Sequence, residues 1–345
     1  MIELIDFTNS TISNRDLQYA GRAGEKRGIV LNGEYWFLKF PKNTIGMKKV
    51  NELSYVTSPL SEYIGSHIFK ILGFDVHDTK LGVFNDGNRF KVVCACKDFI
   101  IDDKNEILVP YTALRNDTNP VVMARNEDNL QSASNINEIV FQLRNNTVLG
   151  NIKDAYRSFF EVAIVDILIN NNDRNEDNWG VIKNKSESKY SLAPVYDCGN
   201  CFYSKTSESR IESLLEDKAR LQSSAINCTT AYEDDNENRM SIIDLIKMIS
   251  TNDLKILENM ANIIESHLDE IVSFIYSIPS NYKDIVVMSR NRKLYYIKTI
   301  FIRFNYLKES ILAKHINDGL SDLYEGKVVE GKKLLEELER KYGLK

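Results

Sequence analysis

Residues 170–178 read Asn-Asn-Asn-Asp-Arg-Asn-Glu-Asp-Asn, and seven of these nine are Asn or Asp. Such side chains compete for backbone hydrogen bonds, so the run terminates whatever regular element leads into it. What leads into it is apolar. Residues 154–170 carry a helical pattern, and within it residues 162–169 are apolar except for Asp166. A helix that must be buried therefore delivers a dense set of carboxylates and carboxamides at one point of the fold. Two readings fit: a plain surface turn between core elements, or a loop that presents acid and amide groups to a ligand.

The chain around this run is long enough for about two domains at roughly 150 residues each. Its 345 residues are 43% apolar and 27% charged, the balance of an ordinary globular protein. Lys and Arg number 44 against 49 Asp and Glu, a formal net charge of -5. That excess argues against sequence-independent nucleic-acid binding, which needs many phosphate-neutralising cations. Five cysteines, an odd number, do not make an extracellular disulfide framework. The first residues, Met-Ile-Glu-Leu-Ile-Asp, have neither the basic nor the apolar region of a signal peptide. The apolar run at 162–169 is far short of the ~20 residues that span a bilayer. The expectation is a cytoplasmic, reduced protein with no membrane partner.

The two halves differ in periodicity. Residues 29–31 and 36–40 flank Asn32-Gly33, a type I′ hairpin signal, and residues 81–84 and 90–94 flank a second turn at 85–88. Between them the sequence predicts a helix with Ser58 as cap, Pro59 at the first helical position and Gly73 beyond its end. Ile64, Ile68, Ile71 and Leu72 form its apolar stripe. Residues 101–134 read as loops. Helical patterns follow at 136–145, 154–170, 241–250, 253–277 and 283–315, with a polar loop and short helices at 202–239. The fold class expected is α+β: a small antiparallel-sheet lobe over residues 1–100 and a larger, mainly helical lobe over 101–345.

Chemistry concentrates at four places. Asp173 and Asn178 have the Asp-x4-Asn spacing of a kinase catalytic loop, in which the Asp orients the acceptor hydroxyl and the Asn holds Mg²⁺. Downstream, an apolar stretch leads into Asp197-Cys198-Gly199, and one or two carboxylates or carboxamides suit a hard cation. Lys39 lies inside an apolar strand, where an ammonium needs a partner, and Glu62 on the neighbouring helix lies off the apolar stripe. A snorkelling edge lysine is the plain alternative. Finally, Gly21-Arg22-Ala23-Gly24 precedes Lys26; the glycines permit close approach of backbone to phosphate, although no Walker P-loop is present.

In this order, with Lys39-Phe40-Pro41, Ser61-Glu62-Tyr63, Cys96-Lys97-Asp98-Phe99, Asn172-Asp173-Arg174 and Pro194-Val195-Tyr196-Asp197 at their places, the chain resembles the HipA-like serine/threonine kinases, most of all the compact CtkA-type members. The likeness runs from about residue 20 to 205. It implies a bilobal protein-kinase-like fold and an ATP- and Mg²⁺-dependent serine/threonine protein kinase, autophosphorylation included. Asp173 would be catalytic, and Asn178 and Asp197 would be metal ligands. Gly21, Arg22, Ala23, Gly24, Lys26 and Lys39 would bind phosphate, with Glu62 supporting Lys39. Cys96, Lys97, Asp98 and Phe99 would form the hinge that meets adenine and ribose. Asn175 stands where the family usually has His, at a nucleotide-contacting position. The family is best known for toxins paired with antitoxins, so a protein substrate and an antitoxin-type partner are implied. Asn175 also keeps open a nucleotide-binding pseudokinase, and a small-molecule phosphotransferase is a third alternative.

Other features point to packing. Cys94-x-Cys96 with Cys198-x2-Cys201 reads as buried thiols ahead of a zinc site. The four His residues share no spacing, and no hydrolase triad emerges. Arg290, Arg292 and Lys293 read as a solvated helix start, and residues 328–341 as an amphipathic helix that docks on its own domain or on a partner.

Overall fold

The computed structural model describes residues 2–13, 26–41, 57–115, 134–324, and positions 336, 339 and 340. Six strands are built first: β1 (Ile5–Asp6), β2 (Thr11–Ile12), β3 (Lys26–Leu31), β4 (Glu34–Lys39), β5 (Thr79–Asn85) and β6 (Phe90–Lys97). Asn32 and Gly33 both take positive φ, 52° and 80°, as the expected tight turn requires. They set β3 against β4 with Lys26 opposite Lys39. The second hairpin turns at Gly87. The sheet order is β1-β5-β6-β4-β3-β2, antiparallel except for the β1–β5 pair. β4 lies between β6 and β3, so Lys39 is on an interior strand and the snorkelling-edge alternative falls.

Helix α1 (Ser58–Ile71) lies between this sheet and the helices that follow. Its first helical residue is Ser58, and the cap position belongs to Thr57, whose hydroxyl donates to the Ser204 carbonyl at 2.9 Å instead of capping. The expected stripe is buried at Ile64, Ile68 and Leu72, but burial extends round to Leu60, Tyr63 and Phe69, because α1 is covered on both sides. One continuous apolar core runs from α1 and the inner sheet face (Leu81, Cys94, Cys96) into the helices. Each large side chain buried there contributes about 1.5–3 kcal/mol. A separate cluster of Phe7, Ile29, Trp36, Leu38, Phe40, Val93 and Ala95 covers the other face of the sheet.

Residues 101–115 are more ordered than expected. They include β7 (Glu106–Pro110) and α2 (Tyr111–Arg115), while residues 116–133 lie outside the described residues. β7 pairs with β8 (Gly180–Asn184), which pairs with β9 (Lys189–Leu192). Helices α3 (Ile136–Asn145) and α4 (Ala155–Ile169) match the sequence periodicity closely. Residues 202–239 contain the short helices α5 (Glu208–Glu216) and α6 (Lys218–Ile226). They also hold β10 (Thr229–Glu233), which pairs with β11 (Arg239–Ser241). Then come α7 (Ile242–Asn252) and α8 (Leu254–Ser277).

A small hairpin of β12 (Asn281–Tyr282) and β13 (Ile285–Val286) delays the last helix, α9 (Arg290–Tyr324), to seven residues beyond its expected start. Of its basic first turn only Arg290 is solvated: Arg292 is buried and its Nε reaches Glu208 Oε1 at 2.7 Å. Lys293 is buried as well, and its ammonium donates to the carbonyls of Tyr276 and Ile278. The C-terminal segment at 328–341 lies outside the described residues apart from three positions. Among the described residues no helix is long and apolar enough to cross a membrane.

Candidate active site

The site begins with Lys39, the last residue of β4. Its ammonium lies 2.7 Å from Glu62 Oε2 and 2.6 Å from Asp197 Oδ1. Burial works against the charged lysine, but the carboxylates of Asp197 and Glu62 overcome it and hold its pKa well above the usual value. Glu62 is fully buried. Burial would raise its pKa, yet the Lys39 charge and a hydrogen bond from His77 hold the carboxyl well below the ordinary range. Lys26, set opposite Lys39 by the hairpin register, has its pKa lowered by burial and by repulsion from Lys39. Lys26 is thus the first residue of a strand and not part of a loop before it, and the strand pair sets it against Lys39. Gly21, Arg22, Ala23 and Gly24 lie outside the described residues.

His77 was missed by sequence reasoning. Its Nε2 lies 3.0 Å from Glu62 Oε1 and 3.2 Å from Ser66 Oγ, with the side chain 1% exposed. A lone His preceding a strand gives no spacing signal, because its partners lie on a helix more than ten residues earlier.

The second half of the site hangs from α4. That helix ends at Asn170 in the left-handed conformation (φ 51°), and the Asn/Asp-rich run follows. Arg174 turns back into the core: its Nε and Nη2 lie 2.9 and 3.1 Å from the two oxygens of Asp166. Its Nη1 donates to the carbonyls of Asn178 and Tyr196, and its Nη2 approaches Cys198 Sγ at 3.5 Å. One guanidinium therefore ties together α4, the Asp173–Asn178 loop and the segment leading to Asp197. Neither Asp166 nor Arg174 was among the expected site residues. The sequence signals were a carboxylate interrupting an apolar run, for Asp166, and a place in the Asn172-Asp173-Arg174 stretch, for Arg174.

Asp173 is exposed. Asn178 Nδ2 donates to the Asp173 carbonyl at 2.6 Å, and Asn175 Nδ2 approaches Asp173 Oδ1 at 3.2 Å, so these three expected residues form one unit. Asp197 takes φ 57°, a left-handed conformation uncommon outside glycine, and functional sites commonly hold residues in this way. Gly199 follows; a Cβ there would sit only 3.2 Å from Glu62 Oε2, so glycine permits the close approach of this turn to α1.

The stretch at 96–99 is divided. Cys96 and Lys97 belong to β6, and the Cys96 thiol is buried 4.0 Å from Glu62 Oε1. Lys97 pairs outward with Glu34 at 2.6 Å. The N–H groups of Lys97 and Asp98 donate to the carbonyls of Asp78 and Tyr35, and the Asp98 carboxylate accepts from the Ile100 N–H. Phe99 lies against Tyr196, ring centroids 5.6 Å apart. The cysteines of the discounted zinc site are buried free thiols.

Two donor sets bear on metal binding. The carboxylate of Asp197 and the carboxamide of Asn178 offer the hard oxygen ligands that Mg²⁺ prefers. Glu62, His77 and Cys96 also bring donor atoms within 4.8 Å of one another, but both Glu62 oxygens already accept hydrogen bonds, from Lys39 and His77.

A strand lysine paired with a helix glutamate, an Asp-x4-Asn loop below it and a second aspartate beside the lysine define a protein-kinase-like scaffold. Comparison with known proteins gives the same class. The chain is 28% identical over 250 residues to the serine/threonine-protein kinase CtkA of Helicobacter pylori strain J99, covering 72% of each. The crystal structure of a Helicobacter pylori proinflammatory kinase CtkA matches with a TM-score of 0.75 at 25% identity, over 92% of this chain and 100% of that one. HipA of a Shewanella oneidensis MR-1 toxin–antitoxin system, solved with HipB and operator DNA, shares the fold at TM-score 0.50 and 15% identity, over 85% and 67%. No protein-family model matches. The chain is a homologue of the serine/threonine-protein kinase CtkA and has the α+β kinase-like fold expected from its sequence, a fold it shares with HipA.

Proposed function

We propose that this protein transfers the γ-phosphate of ATP to serine or threonine hydroxyls of proteins, itself included, with Mg²⁺ as cofactor. The observation that carries the reading is Lys39, held between Glu62 and Asp197 at 2.7 and 2.6 Å on an interior strand. In this reading the nucleotide lies between a strand-rich lobe, residues 1–100, and a helical lobe, residues 101–345. Lys26, Lys39 and the 21–24 segment hold its phosphates, and Asn178 and Asp197 hold the metal, which neutralises charge developing on the transferred group. Because the N–H groups of Lys97 and Asp98 are engaged in the protein, adenine meets the carbonyl edge of the 96–99 stretch and the Phe99 ring. Asn175 sits beside Asp173 and lines the nucleotide side of the catalytic loop.

Asp173 accepts or orients the acceptor hydroxyl, and positioning supplies much of the rate. Asn178 fixes the Asp173 backbone, leaving the carboxylate exposed for that task. The protein acts in the cytoplasm, and an antitoxin-type protein is its expected partner, by likeness to the HipA fold.

Asp173→Asn tests the assignment. The variant is expected to keep its fold and its thermal shift with MgATP while losing phosphate transfer to itself and to lysate proteins. Undiminished transfer would overturn the role of Asp173. A second reading, a nucleotide-binding pseudokinase, is favoured by Asn175 capping the Asp173 carboxylate. The same assay decides it: wild-type protein that binds MgATP and labels nothing is the pseudokinase outcome.

A further inference from the structure

Five residues close a circuit that crosses the site. Lys39 touches Asp197 and Glu62. Glu62 gives its other oxygen to His77 Nε2 at 3.0 Å. The backbone N–H of His77 donates to the Val195 carbonyl at 3.1 Å, and the Val195 N–H donates to the Asp75 carbonyl at 2.9 Å. Val76 and Val195 form a parallel bridge, and two residues beyond Val195 the chain reaches Asp197. His77 thus gives a second link beside Lys39: its side chain holds the carboxylate of α1, and its backbone holds the segment carrying Asp197. A carboxylate only accepts hydrogen bonds, so Nε2 must carry a proton toward Glu62.

Packing reinforces the link. A Cβ added to Gly65 would lie 2.7 Å from Cys198 Cβ, so α1 and the Asp197 turn are in contact one helical turn from Glu62.

We propose that His77 is a positioning residue that locks the Glu62 carboxylate to the Asp197 segment, so that Lys39, Glu62 and Asp197 hold one geometry. It touches no reacting atom. Without its N–H, one oxygen of a fully buried carboxylate keeps only the distant, weakly donating Cys96 thiol at 4.0 Å, and the carboxylate is free to rotate away from the geometry that Lys39 requires. The functional part of this inference rests on the kinase reading; the structural part does not.

The test compares His77→Gln, which keeps an N–H donor close to the place of Nε2, with His77→Leu, which keeps bulk and loses the donor. Both are made in the full chain. Phosphate transfer and backbone amide exchange are measured on each.

His77→Gln is expected to retain transfer within about threefold of wild type, and His77→Leu to lose roughly tenfold or more in kcat, the loss expected from an unpartnered buried acceptor. In His77→Leu, exchange should quicken together around residue 62 and at 194–198, and in His77→Gln at neither. Equal losses in the two variants, in proportion to their falls in Tm, would reduce His77 to a packing role and overturn the proposal. So would wild-type rates and exchange in His77→Leu. If the wild-type protein transfers no phosphate, the kinase reading fails by that result, and the exchange pattern alone still decides whether His77 locks the two segments.

Discussion

The bond between Asp166 and Arg174 can be broken from the carboxylate side, and its cost follows from where it lies. The Arg174 side chain is 2% exposed and that of Asp166 5%, so neither charge can fall back on water. In Asp166→Ala the guanidinium keeps the carbonyls of Asn178 and Tyr196 but has no counter-charge. Removing one partner of a buried pair costs about 3–5 kcal/mol. The remaining carbonyl acceptors favour the lower end of that range. At roughly 2 °C per kcal/mol for a chain of this size, the apparent Tm should fall by about 6 °C or somewhat more.

The double variant Asp166→Leu/Arg174→Met separates stability from function. Removing both charges replaces a costly pair with apolar bulk, an exchange that is often neutral or stabilising. Its Tm should recover most of the single-variant loss. Phosphate transfer should not recover, because no guanidinium is left to tie the Asn178 and Tyr196 backbones together. Thermal unfolding and transfer measured on both variants check this. A single-variant loss below about 1 kcal/mol would refute the reasoning, since an uncompensated buried charge must cost more than an exposed pair. A double variant that regains activity along with Tm would also refute it.

Two further perturbations follow from the same geometry. Gly199→Ala places a methyl 3.2 Å from Glu62 Oε2, the oxygen that takes Lys39, so kcat/KM for ATP should fall by about tenfold or more with only a modest change in Tm; an unchanged kcat/KM would remove this contact from the site. His67 stacks on Phe274 with ring centroids 5.0 Å apart, and burial lowers its pKa from 6.5 to about 4. The unfolded chain therefore takes up the proton first: the contribution is complete above about pH 6.5 and is lost as pH falls toward 4, at most about 3 kcal/mol. Tm followed from pH 7 to 4 should fall more steeply in wild type than in His67→Phe, and parallel curves would refute the assignment.

The parts of this site legible in the sequence were those whose physics is local. A lysine in an apolar strand demands an anion, and Glu62 was the nearest helix residue able to supply one. Asn32-Gly33 demands a tight turn, and the turn sets Lys26 beside Lys39. The illegible parts depend on long-range pairing. β7 is a five-residue strand whose partner lies about seventy residues on, so nothing around residue 106 announces it. Arg292 and Lys293 look solvated in a basic triplet, yet their acceptors are Glu208 and the carbonyls at the end of α8. Asp166 was visible as an anomaly, but its partner lies across a helix terminus, at a separation that no helical period encodes.

The two ion-paired groups differ in a way that matters for the site. Arg174 and Asp166 are almost completely sealed, and beyond each other the guanidinium donates to backbone carbonyls beside Asn178 and Asp197. Such a pair adds little net stability over apolar packing. What it supplies is direction, because a planar fork of donors fixes several acceptors at once. Lys39 and Asp197 are more open, at 12% and 28% exposure. There the lysine has two carboxylates to choose between, one of them sealed and the other facing solvent. Glu62 cannot leave, since His77 and its own burial hold it in place. Asp197 can turn from Lys39 toward another cation without stranding either charge, because Lys39 keeps Glu62. The sealed pair therefore sets the frame, and the open one leaves a carboxylate and an ammonium that can each take a new partner.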